Sequence, residues 1–258
     1  MKKKNSRKLL IVNADDANLT HGVNQAILKA HEEGIVTSTT FLINLPVESK
    51  TVTGFVKAGR LGVGLHLNIS LGGPVTKRGR VPSLTCETGF RKRDSLLGKL
   101  PAAAEVALEY QSQIRLFRKC FGRMPTHLDT HHQLHDHPVF LRVLIETAKT
   151  FRLPVRRSSL WNRKTGRLPV LSSDRLWGDL RPEKYWRKKS LTEALKKIPS
   201  GVTEVMCHPG RVDPVLRAVT SFTTGRFKEY QVFAARDLRK WVESRGIELT
   251  HYGMWYTW

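Results

Sequence analysis

The chain has 258 residues, 40% of them hydrophobic, enough for one large globular core and not the composition of a disordered chain. Its 44 Lys and Arg against 22 Asp and Glu leave +22, which favours anionic partners, but the basic residues fall in short scattered runs with no aromatic-interleaved RNA signature, so a solvated basic surface is expected and a nucleic-acid partner is not. Cys86, Cys120 and Cys207 are odd in number and far apart, which argues against a disulfide framework; no apolar run reaches the ~20 residues of a membrane span or the length of a secretory segment, so a cytoplasmic protein with no membrane span is expected.

Leu9 to Val12 is a short apolar run that stops at Asn13, and it predicts a buried strand. Thr20 then precedes a helical pattern with Val23, Ile27 and Ala30 on one face, and Gly34 follows as a stop. Ile35 to Ile43 is rich in β-branched residues, and Gly62 to Ile69 alternates; both predict strands. After a looser stretch over 72–98, Val106, Tyr110, Ile114, Phe117 and Phe121 recur at helical spacing up to Gly122. The histidine-rich segment Pro125 to His135 predicts a further strand, and Pro138 opens the next helix. Leu153 to Arg156 predicts a short strand, Thr203 to Cys207 another, Ala234 to Glu243 a helix, and Ile247 to Tyr252 a last strand. Residues 157–190 are rich in Trp, Arg and Pro; 157–200 read as a variable insertion, and residues 1–8 as a basic N-terminal tail. Strand and helix alternate throughout, which predicts a single α/β domain over 1–258 with a parallel sheet or a closed barrel.

A parallel barrel carries its chemistry at the C-terminal ends of its strands. The first predicted strand ends on Asn13-Ala14-Asp15-Asp16, the third carries His66, the next runs into the histidine cluster, and the strand Thr203–Cys207 ends on His208-Pro209-Gly210. Side chains of an extended segment alternate between faces, so His127, Asp129, His131, Gln133 and His135 are expected on one face of a strand. Taken singly these features have plain explanations: a polar turn, a satisfied core histidine, a solvated loop. Their joint placement at successive strand ends predicts a hydrolytic metal site of one carboxylate and two imidazoles with open positions for water and substrate. A second, adjacent carboxylate can then take a proton from a metal-bound water while a histidine protonates the leaving group.

The segments LLIVNADD, GVNQAILKAHEEGIVTSTTFLIN, GVGLHLNISLGGPV, PTHLDTHHQLHDHP and EVMCHPG resemble, in order and spacing, the YdjC-like carbohydrate deacetylases. The resemblance runs from residue 9 to about 150 and resumes near 203–213 and at the C-terminus. It implies an irregular (β/α) TIM-like barrel and a hydrolase that removes an N-acetyl group from an acetylated amino sugar or oligosaccharide. Carried over by position, it implies Asp16, His66 and His131 as metal ligands, Asp15 as general base and His208 as acid or substrate contact; Asp129 and His135 are expected to contact the substrate. The cofactor is expected to be a divalent ion: the donor set suits Zn2+, and Mg2+ fits the family as well. Two departures stand out. The family usually has Asp-Asp-Phe-Gly where this chain has Asp15-Asp16-Ala17-Asn18, and often a third successive histidine where this chain has Gln133.

Three other readings stay open on the residues. The same chemistry could serve an anionic or lipid-linked glycan drawn in by the basic surface. The chain could bind polyanions without catalysis, although every catalytic position is then filled to no purpose. Asp15-Asp16 could be the acidic pocket of a phospho-acceptor domain, but that leaves the length and the histidines unexplained. A homodimer is the expected assembly, since most soluble oligomers are symmetric.

Overall fold

The computed structural model describes residues 7–161, 170–179, 181 and 183–255. Most of the expected basic tail, residues 1–6, and residues 162–169 of the expected insertion lie outside the described residues.

The first strand, β1 (Lys8–Ala17), is five residues longer at its C-terminal end than the apolar run suggests. Leu10, Ile11 and Val12 are fully buried, at roughly 2 kcal/mol each, and the ladder continues through the polar residues because Asn13 and Ala14 still pair with a neighbouring strand. Helix α1 (His21–Glu33) starts where Thr20 Oγ1 accepts the Val23 N–H at 3.2 Å, and it buries Val23, Ile27 and Ala30 as its periodicity requires. Gly34 ends it for a packing reason: a Cβ there would lie 1.8 Å from the Phe233 carbonyl oxygen. Strands β2 (Ser38–Phe41) and β3 (Gly62–Leu67) flank α2 (Ser49–Lys57), and every residue of both strands is buried. A small antiparallel pair, β4 (Thr85–Cys86) with β5 (Gly89–Phe90), precedes α3 (Arg93–Gly98). Helix α4 (Ala103–Phe121) ends at Gly122, whose φ of 68° is a left-handed cap.

The histidine segment corrects the expectation of one long strand. Only β6 (Leu128–Thr130) is extended; His131–Asp136 then turn as 3-10 helix, with His132 (φ 57°) and Gln133 (φ 48°) left-handed. The alternation of faces therefore stops at Thr130. Helix α5 (Pro138–Phe151) follows, with Pro at its start and the His137 side chain accepting the Val139 N–H. Val155 forms an isolated parallel bridge to Leu128, all that exists of the expected strand at 153–156. Next come β7 (Arg175–Trp177), α6 (Lys188–Lys196), β8 (Gly201–Cys207), α7 (Pro214–Val219), α8 (Thr224–Phe233), α9 (Arg236–Ser244), β9 (Ile247–Thr250) and α10 (Tyr252–Trp255).

The larger sheet has the strand order β6-β3-β2-β1-β8-β7, with β9 also paired to β1, and its registers β1–β8, β1–β9, β3–β6 and β7–β8 are parallel. This is the α/β class with a parallel sheet expected from the alternation of strand and helix, and it agrees with the irregular TIM-like barrel that the resemblance implies. Two compact units divide it: Met1–Thr40, Gly54–Val63 and Ser173–Trp258 form one, Phe41–Thr53 and Gly64–Ser172 the other. In the first, β1 is central, and Leu9 and Ile11 pack with Val202 and Tyr252. In the second, α4 packs on α5, and Phe41, Phe117 and Phe121 form an aromatic stack with centroid separations of 5.1 and 4.2 Å. Among the described residues no helix is long and apolar enough to cross a membrane.

Candidate active site

In the first unit the polar residues gather where β1 and β8 end together. Ala14 and Cys207 are register partners, so Asp15 and His208 follow each other's neighbours and meet: His208 Nε2 lies 3.9 Å from Asp15 Oδ2. Asn13 Nδ2 donates to Asp15 Oδ1 at 2.9 Å and fixes the carboxylate plane. Asp16 adopts φ 68°, a left-handed conformation uncommon for a residue with a Cβ. Asn18 is left-handed too, at φ 74°. Asparagine is, after glycine, among the residues that tolerate this conformation best. The loop is then closed by Leu19 N–H to Asp16 O (3.0 Å) and Asn18 N–H to Asn24 Oδ1 (2.7 Å).

Two residues of this group have no signal in the motifs. Arg226, on α8 and only 4% exposed, pairs its Nη2 with Asp16 Oδ2. Glu229, one turn further on, accepts the His208 N–H at 2.6 Å and the Trp186 N–H at 2.9 Å. Burial pushes Glu229 up to about 7, against those two donors and the nearby Arg226 guanidinium.

In the second unit, His66 and Asp129 are register partners on adjacent parallel strands, which places their side chains together. His66 Nδ1 lies 2.6 Å from Asp129 Oδ1, and Arg156 Nη1 lies 2.8 Å from Asp129 Oδ2. Burial opposes charge on Asp129, but Arg156 and His66 hold its carboxyl well below the usual range. An ionised carboxylate requires the proton of His66 on Nδ1, leaving the Nε2 lone pair outward. That Nε2 lies 3.3 Å from His131 Nδ1. Two imidazole nitrogens facing each other at this distance share one proton or hold a cation between them. His132 stacks against His131 with centroids 3.8 Å apart, and Ser70 Oγ lies 2.9 Å from His132 Nδ1. Ser70 belongs to a loop held by buried Glu109, which accepts the Val75 and Thr76 N–H groups at 2.9 Å each.

Neither expected substrate contact of the histidine segment presents surface. Asp129 is fully buried with its oxygens on His66 and Arg156. His135 is also fully buried, its Nδ1 lies 2.7 Å from Thr130 Oγ1, and burial, with Arg156 adding, pushes its pKa down to about 4. Asp129 joins His66 to Arg156 in one buried chain of polar contacts, and Arg156 is the member that the motifs do not reveal.

The model of the family described as YdjC-like protein matches residues 9–244. A carbohydrate deacetylase of Halalkalibacterium halodurans is 38% identical over 86% of this chain and 94% of its own length. One from Brevibacillus brevis is 33% identical over 94% and 98%. A crystal structure of an Enterococcus faecalis protein, 31% identical, covers 98% of this chain and 100% of its own with a TM-score of 0.84. A family 4 carbohydrate esterase of Streptomyces lividans, solved with acetate, shares the fold at a TM-score of 0.54 and 11% identity. The strand-end aspartates, the paired histidines and the late Cys207-His208-Pro209 thus sit in a chain matched along nearly its whole length, and the protein belongs to the YdjC-like family.

Proposed function

We propose that the protein is a metal-dependent carbohydrate deacetylase that hydrolyses the N-acetyl group of an amino sugar to a free amine and acetate. The observation that carries the reading is the His66 imidazole fixed by Asp129, with its Nε2 turned toward His131 Nδ1. Asp16, His66 and His131 supply one carboxylate and two imidazoles, all buried, and this donor set fits a divalent ion. Asp129 is a poor candidate for a ligand, because each of its oxygens already has a cationic or N–H partner. When bound, such an ion supplies a Lewis acid for the acetyl carbonyl and makes water more acidic.

The chain's own residues do the rest. Asp15, which takes a hydrogen bond from Asn13, accepts a proton from the attacking water in this reading. His208, 3.9 Å from Asp15, delivers a proton to the departing nitrogen in this reading. Arg226 pairs with one oxygen of Asp16 and holds that carboxylate in place. The names of the relatives supply the substrate class, an acetylated carbohydrate. The test is the Asp15→Asn variant: it is expected to keep its metal and to lose at least about a hundredfold in acetate release. Full turnover in that variant would show that Asp15 is not the base.

The net charge of +22 favours one refinement, an anionic glycan as the natural substrate. Turnover that drops steeply with ionic strength on an anionic substrate but not on a neutral one is the expected signature.

A further inference from the structure

Six tryptophans occur in the chain, and the reaction as described uses none. Trp161 is a core residue at 7% exposure. Trp186 is different: its ring is half-buried, and it is tied twice to the end of β8, the strand that delivers His208. The indole Nε1–H donates to the Met206 carbonyl at 3.0 Å, two residues before His208. Its backbone N–H donates to Glu229 Oε1 at 2.9 Å, while the other oxygen of the same carboxylate takes the His208 N–H at 2.6 Å. One buried carboxylate therefore sets the spacing between the Trp186 backbone and the backbone of the proposed acid. Room for this is made by Gly178, just after β7: at φ 135° its Cβ position would lie 2.9 Å from the Met206 carbonyl oxygen that receives the indole.

This arrangement satisfies the polar edge of the indole against the end of the strand that carries His208 and leaves the residue partly exposed. Trp177 and Trp241 are also half-buried, but Trp186 is the one tied by hydrogen bonds to the end of β8 and to the carboxylate that holds the His208 N–H. A half-covered aromatic face fits a flat molecule with polarised C–H groups on its faces and hydroxyls around its rim, which describes a pyranose ring. We propose that Trp186 is the stacking platform for the amino-sugar ring, and that Glu229 is a positioning residue that keeps the platform in register with His208. The proposal rests on the deacetylase reading for the identity of the sugar, and extends it to how the ring is held.

The test measures binding and turnover separately. Binding of N-acetylglucosamine oligomers to chelator-treated, metal-free protein is followed by calorimetry, and acetate release is followed with metal restored. Trp186→Phe, which keeps an aromatic face but loses the Met206 bond, is expected to bind within about threefold of the wild type. Trp186→Leu and Trp186→Ala, which lose the ring, are expected to weaken binding and raise KM by about tenfold with kcat nearly unchanged, as for a contact present equally before and during reaction. Unchanged affinity and KM in the folded Leu and Ala variants would overturn the platform and leave the deacetylase reading intact. A fall in kcat at constant KM would also overturn it, showing that Trp186 acts only through Glu229 on His208. Wild-type protein that binds the oligomers through Trp186 yet releases no acetate would uphold the platform and sink the deacetylase reading.

Discussion

Asp129 concentrates most of the argument about single residues. A fully buried carboxylate is costly unless its charge is matched, and here Arg156 and His66 match it, one on each oxygen. The outcome is a histidine whose tautomer is set by its neighbour, the usual support for a metal-binding imidazole. Asp129→Asn retains the shape but not the charge, and is expected to lower zinc affinity by about 10- to 100-fold in competition with a chromogenic chelator. Unaltered affinity would show that His66 needs no such support. Glu229 makes a different prediction. Its folded-state value is raised by burial from 4.5 to about 7, so the folded state holds a proton that the unfolded chain has already released. The folded state should therefore lose stability as pH rises from about 4.5 to about 7, and change no further from this group above that. Glu229→Gln has no such proton. Urea midpoints taken at pH 5 and pH 8 should show a smaller decline for the variant; equal declines would mean that Glu229 is ionised across the whole range.

At the level of elements, the helices with regular apolar spacing were the legible ones. Val23, Ile27 and Ala30 mark α1, and Val106 to Phe121 mark α4, because in each a single stripe faces the core. Helix α8 has no such stripe. Its buried residues are Gly225, Arg226, Glu229 and Phe233, and polar side chains that turn inward toward a site look, in a sequence, like an exposed face. That is why Arg226 and Glu229 were invisible until the fold was known, whereas Asp15, Asp16, His66 and His208 were announced by strand ends. The histidine segment misled for a related reason. Its density of imidazoles was informative, but periodicity cannot show that His132 and Gln133 are left-handed, and those two residues follow the end of the strand and break the expected alternation before it reaches His135, while His131 still meets His66 beside Asp129. Left-handed geometry also gives the β1–α1 loop its sensitivity. Asn18→Gly should be close to neutral, while Asn18→Ala should cost about 1 kcal/mol in chemical denaturation, because alanine has neither the freedom of glycine nor a side chain suited to this conformation. Equal stability of the two variants would remove the strain from the account.

Across the whole molecule, the match over residues 9–244 and the mostly parallel sheet give the fold, and the buried donor set is the basis of the chemistry proposed for it. The charge of +22 is the property that neither explains, and it bears on which glycan arrives rather than on how the bond is cut. The central claim is that His131, with His66 and Asp16, holds a divalent ion that acetate release requires. It is tested most directly by measuring metal content in wild-type protein and in His131→Ala, each together with acetate release from N-acetylglucosamine oligomers. The account predicts about one ion per chain in the wild type, lost in the variant, with acetate release lost in parallel and restored to the chelated wild type by adding metal back. A wild type that takes up neither zinc nor magnesium, or a His131→Ala protein that keeps both its ion and its turnover, would contradict it.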